Sequence, residues 1–127
     1  MASRIVFDRA LPHARISLSD DEPLRATIWL SGEIDAECAH ALHAEFVWQQ
    51  LRGHRLVRVD MHGVTFLDSA ALGVLVEAHY TWLQMRGTLV LFGVAGATLR
   101  ILALTGMDRE LLHMPPIAAR ELVGLRA

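Results

Sequence analysis

The sequence predicts an α/β domain whose sheet is at least partly parallel. Three patterns lead there. Leu24 to Leu30 alternates apolar residues with others, as a strand with one covered face does. Thr88 to Phe92 is an apolar run of strand length bounded by Gly87 and Gly93. Between them lie stretches of helical period, and strands separated by helices are joined by the crossovers that parallel neighbours require.

Taken in order, residues 1–22 carry mixed charge, Pro12 and the acidic run Asp20-Asp21-Glu22, with one or two short strand-like pieces such as Arg15 to Leu18. We expect a leading extension or edge strand there, ahead of a single domain over 23–127. In the next strand Leu24, Ala26, Ile28 and Leu30 share one face, and Arg25, Thr27 and Trp29 the other. Ser31 to Asp35 is a turn, and Asp35 can cap a helix by accepting its first free N–H groups. That helix runs to about Leu51 and stops at Gly53.

Leu56 to Met61 reads as a second strand, which Val64 to Leu67 either continues or follows with a short return. From Ala70 to Met85, Leu72, Leu75, Val76, His79 and Leu83 fall at helical spacing, and Gly87 ends the helix. Gly96 to Thr105 forms a short helix with Gly106 at the position where a left-handed residue is usual. Met114-Pro115-Pro116 breaks the chain, and Ile117 to Leu125 closes it as an amphipathic helix carrying Ile117, Leu122 and Leu125. There is no internal repeat, low-complexity tract or linker.

Composition narrows the function. A chain of 127 residues, 53% hydrophobic and 20% charged, is long enough to bury a core without metals or disulfides and too apolar to be disordered. Mean hydropathy is positive at +0.32. Yet the longest uncharged stretch, Gly87 to Leu99, is broken by glycines and threonines and is shorter than the ~20 apolar residues of a membrane span. We expect no membrane insertion. Near Arg4, Asp8 and Arg9 there is no apolar run of a signal peptide, so a cytoplasmic protein is expected. The single cysteine, Cys38, has no internal partner for a disulfide or a cysteine-based zinc site. A formal charge of −2 gives no basic field for nucleic acid. All 12 basic residues are arginine; without lysine, Schiff-base chemistry and a P-loop are excluded.

Functional loops of parallel sheets gather at the strand carboxyl ends. Gly32 to Asp35 and Leu67 to Ser69 both lie there, each leading into a helix, and can share one edge. A helix N-terminus presents free N–H donors and the positive end of its dipole. A serine there accepts a phosphate without breaking the helix, adding about −1.5 to −2 charges to whatever surface it belongs to. The plainer alternative is a simple N-cap, since aspartate and serine are preferred caps.

Three blocks, "LSGEIDAECAHAL" (Leu30 to Leu42), "VRVDMHGVTFLDSAALGVLVEAH" (Val57 to His79) and "LVLFGVAGATLRILALTGMDREL" (Leu89 to Leu111), resemble the successive blocks of the STAS domain of bacterial anti-sigma factor antagonists. The resemblance spans about Leu24 to Leu111, in order and spacing. It implies a small mixed β-sheet of four to five strands flanked by about four α-helices. It also implies that Ser69 is the serine presented to an anti-sigma factor with serine kinase activity, with Asp68 beside it and Asp35 on the same surface. The implied docking surface comprises Gly32, Asp35, Asp68, Ser69, Ala70 and Ala71. In the family's cycle the unphosphorylated form binds the anti-sigma factor and releases sigma. Phosphorylation prevents binding until a serine phosphatase reverses it, so catalysis belongs to the partners and the chain needs no cofactor or metal.

One stretch departs from the family pattern. Where the family loop usually reads Asp-Ser-Ser-Gly-Leu-Gly, this chain has Asp68-Ser69-Ala70-Ala71-Leu72-Gly73. Alanine for glycine favours helix by up to ~1 kcal/mol on helical backbone, but destabilises where positive φ is required. The family also contains constitutive scaffolds and regulatory subunits of stress-signalling complexes or membrane transport machines. That is the alternative function.

Other constellations have bland and sharp readings. Glu37, His40 and His43 can offer a metal two imidazoles and a carboxylate, or simply form a solvated helix face. His79 is read as a packed histidine hydrogen-bonded to a neighbour rather than a base. Trp29, Trp48 and Trp82 either anchor a partner or pack. A hydrolase with Ser69 as nucleophile lacks Gly-x-Ser-x-Gly, since Leu67 and Ala71 take the glycine positions, although His113 follows Asp108 and Glu110 as a triad would need. The chain is therefore read as a non-enzyme.

Overall fold

The computed structural model of the protein describes residues 4–22 and 25–116. Its elements run β1 (Arg4–Ala10), β2 (Ala14–Glu22), β3 (Arg25–Ile34), α1 (Ala36–Leu51), β4 (Leu56–Leu67), α2 (Ser69–Gln84), β5 (Thr88–Phe92) and α3 (Gly96–Thr105). The strands form one five-stranded sheet in the order β1-β2-β3-β4-β5. The pairings β1–β2 and β2–β3 are antiparallel, and β3–β4 and β4–β5 are parallel. Each parallel pairing is bridged by one helix, α1 and then α2, as the alternating pattern requires. The expected mixed sheet is thus present. Of about four expected helices, three lie among the described residues. The amphipathic stretch from Ile117 to Leu125, like Leu24, falls outside them.

The core fills the space between sheet and helices. Ile16 and Leu18 of β2, Ile28 and Leu30 of β3, Val57 and Val59 of β4, and Leu89 and Leu91 of β5 are buried, as the two-residue strand period requires. From the helices come Leu42 and Phe46, Leu75 and Trp82, and Leu102. Phe46 and Trp82 meet edge to face with ring centroids 5.9 Å apart, a favoured aromatic geometry.

Several boundaries differ from expectation. Val64 to Leu67 continues β4 rather than returning. It does so through two irregularities: Asp60 and Gly63 stand opposite Trp29 and Ser31, and Val64 and Phe66 opposite Gly32 and Glu33, so β4 uses an extra residue each time. At the end of α2 the left-handed residue is Arg86 (φ 61°), not Gly87. Gly87 serves a different need, because a Cβ there would lie 2.5 Å from the Arg55 carbonyl oxygen and 2.9 Å from Trp82 Cδ1. Beyond α3 the chain returns beside β5: the Leu91 N–H donates to Leu112 O at 2.9 Å, and the Met114 N–H to Leu91 O at 2.8 Å. That pairing precedes the break at Pro115-Pro116 and has no periodic signature, being a single bridge at His113.

Candidate functional site

The parallel pairing of β3 and β4 ends with Ile34 opposite Leu67, and the next residue on each strand is an aspartate. Both leave the strand in extended conformation and cap the helix that follows. Asp35 Oδ1 accepts from the Cys38 N–H at 3.1 Å, and Asp68 Oδ1 from the Ala71 N–H at 2.9 Å. The Asp68 N–H in turn donates to Ile34 O at 3.1 Å. The parallel register of β3 and β4, closed by this hydrogen bond, therefore brings the starts of α1 and α2, with their positive ends, to the same edge. The two loops predicted to share an edge do share it.

Ser69 is the first residue of α2 and is exposed. By its place in the first turn, neither its N–H nor that of Ala70 has an intrahelical carbonyl to bond. Ala70 is exposed as well, whereas Ala71 is fully buried. Ala71 also stands inside α2 and outside the positive-φ residues, so the alanine that replaces the family's glycine rests on helical backbone and stiffens the turn. Gly32 lies just behind this edge with φ +85°, where a Cβ would come within 2.2 Å of the His13 carbonyl oxygen. That oxygen accepts from the Glu33 N–H at 2.7 Å, binding the β1–β2 turn to the end of β3.

The edge is acidic. Asp35 and Asp68 are half-buried, and Glu33 and Glu37 are exposed. Beneath the caps the buried Cys38 thiol is pushed up to about 11, first by burial and then by the Asp35 carboxylate. Asp68 and Glu37 act in the same direction, and Arg9 opposes them. A thiol held protonated in this way is a packing group rather than a nucleophile.

Two surface groups here were not singled out from the sequence. His13 Nδ1 lies 3.8 Å from Glu33 Oε2. Phe66, the register partner of Glu33, is 46% exposed. The available signal was Phe66-Leu67 itself: adjacent residues of a strand point to opposite faces, so one of two neighbouring large apolar residues had to leave the core.

The remaining candidates are dispersed. Among the described residues no group of three or more His, Cys, Asp or Glu is placed to hold a metal. His43 Nε2 instead lies 3.6 Å from Glu77 Oε1 across α1 and α2. His79 is buried and edge-on to Tyr80 at 5.1 Å, but its Nδ1 lacks the expected hydrogen-bond partner. Trp82 is core, its Nε1–H donating to His54 O at 2.9 Å, while Trp29 is half-buried and Trp48 exposed. His113 Nε2 bonds the Asp108 backbone carbonyl at 3.0 Å, and Glu110 accepts from the Tyr80 hydroxyl at 2.6 Å, so neither carboxylate is bonded to that imidazole. No helix among the described residues is long and apolar enough to cross a membrane.

A family model described as "Mlab, STAS domain" matches residues 18–116. The anti-sigma-B factor antagonist of Listeria monocytogenes is 30% identical over 93 residues, covering 73% of this chain and 82% of that protein. Among solved structures, the anti-sigma factor antagonist SpoIIAA in its unphosphorylated form superposes with a TM-score of 0.73 at 15% identity, over 87% of this chain and 96% of that one. The Bacillus cell fate determinant SpoIIAA in its phosphorylated form gives 0.67 at 14% identity, over 88% and 99%. These two likenesses establish the fold.

Proposed function

The chain belongs to the STAS domain family, and from that premise we propose that it is an anti-sigma factor antagonist switched by phosphorylation of Ser69. Unmodified, it docks through the Asp35–Asp68–Ser69 edge onto an anti-sigma factor with serine kinase activity, and sigma is released. The kinase moves the γ-phosphoryl group of ATP onto Ser69 Oγ, and a serine phosphatase later hydrolyses it. Chemistry resides in the partners, in the cytoplasm, and the chain supplies the hydroxyl and the surface.

The observation that carries this reading is the state of Ser69: exposed, first in its helix, and next to an aspartate whose carboxylate is already occupied by capping. The names of the Listeria and SpoIIAA proteins point the same way. A phosphate at this position adds about −1.5 to −2 charges where N–H donors and the helix dipole accommodate it. The fold is kept. The edge, already carrying Asp35 and Asp68, becomes strongly anionic, and a surface matched to the neutral hydroxyl no longer fits.

The test is recovery of the tagged chain from its own cells with partners attached, followed by phosphopeptide mass analysis. Trypsin releases Val59 to Arg86 as one peptide, in which fragmentation separates Ser69 from Thr65, Tyr80 and Thr81. Phosphate on Ser69, with an ATP-binding anti-sigma factor retained by the unmodified form alone, is the expected result. Ser69 unmodified across growth and stress, with a transport complex or scaffold retained instead, overturns it.

A further inference from the structure

We propose that Phe66 is the aromatic anchor of this docking edge, seated in an apolar socket that the anti-sigma factor rims with basic side chains; the inference rests on the Ser69 reading above. The second irregularity of β4 falls between Val64 and Phe66, and Leu67 beyond it is buried opposite Ile34. Strand alternation then sends Phe66 and its register partner Glu33 to the other face of the sheet edge. Such irregularities re-aim side chains next to functional sites. Here the result is a phenyl ring left 46% exposed, with no polar atom to bond water.

Position distinguishes Phe66 from the other exposed aromatic residues. Trp48 sits 12 residues along α1, about 18 Å from the start of that helix. The Tyr80 hydroxyl is tied to Glu110. Phe66 precedes Ser69 by three residues, at most ~11 Å of chain. A partner that covers about 800 Å² on each side and brings a phosphoryl donor to Ser69 has the reach to include Phe66. Aromatic side chains enclosed by near-neutral contacts dominate such interfaces. Its register partner Glu33 sets a carboxylate on the strand beside the ring, with His13 3.8 Å from Glu33, and the half-buried Asp35 and Asp68 follow at the ends of the same two strands. The complementary surface is an apolar socket with a cationic rim.

The experiment uses the full chain and the purified anti-sigma factor retained in the recovery described above, with calorimetric titration and kinetics of Ser69 phosphorylation. Urea melts set the folded fraction of each variant. Phe66→Ala is expected to raise Kd by about 30-fold and KM for phosphorylation in step, with kcat within about twofold. Phe66→Leu is expected to stay within about fivefold of the parent, and Thr65→Ala to match it. Should Phe66→Ala not fold, Phe66→Gln keeps the bulk without the apolar face and is expected to lose at least about tenfold. Binding of Phe66→Ala or Phe66→Gln within about threefold of the parent overturns the anchor while leaving the Ser69 switch intact. A parent chain that neither binds nor is phosphorylated overturns the Ser69 reading, and the anchor with it.

Discussion

Where β3 and β4 end, the chain enters its helices through two aspartates whose side chains reach back to the backbone. Where α1 and α2 end, the turns close by backbone hydrogen bonds around a buried indole. At this second end the Trp82 Nε1–H donates to His54 O at 2.9 Å, the Gly87 N–H to Trp82 O at 2.7 Å, and the Thr88 N–H to Arg55 O at 2.8 Å. Gly87 has no room for a side chain. At the first end the side chains of Asp35 and Asp68 each make one local bond, and Ser69 is left in solvent. Residues at the closed end hold the fold, and changing them costs stability. At the open end Ser69 and Ala70 are exposed and unused by the core, which is what the proposed phosphate and partner require.

The contrast can be broken most severely at Trp82. Trp82→Ala removes a fully buried ring and its bond to His54, and is expected to destabilise by about 3–5 kcal/mol in urea denaturation. Gly87→Ala drives a methyl group against the Arg55 carbonyl, with an expected loss of about 1–3 kcal/mol. Equal stability of that variant would show that the turn yields, and the two ends would then differ less than described. At the open end Asp68→Ala is expected to cost about 1 kcal/mol, the value of one cap, with Asp68→Asn retaining most of it. Ser69→Ala should change stability by no more than about 0.5 kcal/mol while removing phosphate incorporation. A large loss of stability there would make Ser69 a structural residue.

The smallest effect at neutral pH comes from Cys38. Its folded pKa, about 11, lies above the ordinary 9.0, so unfolding lets the thiol ionise sooner. The unfolded state then binds fewer protons, and stability falls as pH rises from about 9 through 11. Below that window the thiol is protonated in both states and contributes no slope. Urea midpoints against pH should therefore fall less steeply above pH 9 in Cys38→Ala than in the parent, the remaining slope including Tyr80, whose pKa its hydrogen bond to Glu110 also raises.

Much of this was legible because the signals were local. Asp35 and Asp68 announce helix starts by their chemistry, and Thr88 to Phe92 announces a strand by its flanking glycines. Gly106 takes the left-handed position read for it. Gly87 misled because glycine answers two needs, positive φ and close approach, and sequence does not say which; Arg86 takes the first and Gly87 the second. The course of β4 was undecided because its irregularities exist only relative to β3. The pairing of Leu112 and Met114 with Leu91 depends on where the chain returns after α3. Of the site, the two caps and the serine were readable, and the exposure of Phe66 waited on register.

The bond from the Asp68 N–H to Ile34 O has one more consequence, in the timing of isotope exchange. Two amides of the motif are held, that of Asp68 by a neighbouring strand and that of Ala71 by a carboxylate, and those of Ser69 and Ala70 lie between them in the first turn. In heavy water the held pair exchanges at the pace of local opening, while the intervening pair exchanges at close to the pace of free peptide. Four consecutive signals thus form a slow–fast–fast–slow pattern. A phosphate or a docked partner that occupies the middle pair would slow those two, leaving the outer two as an internal clock.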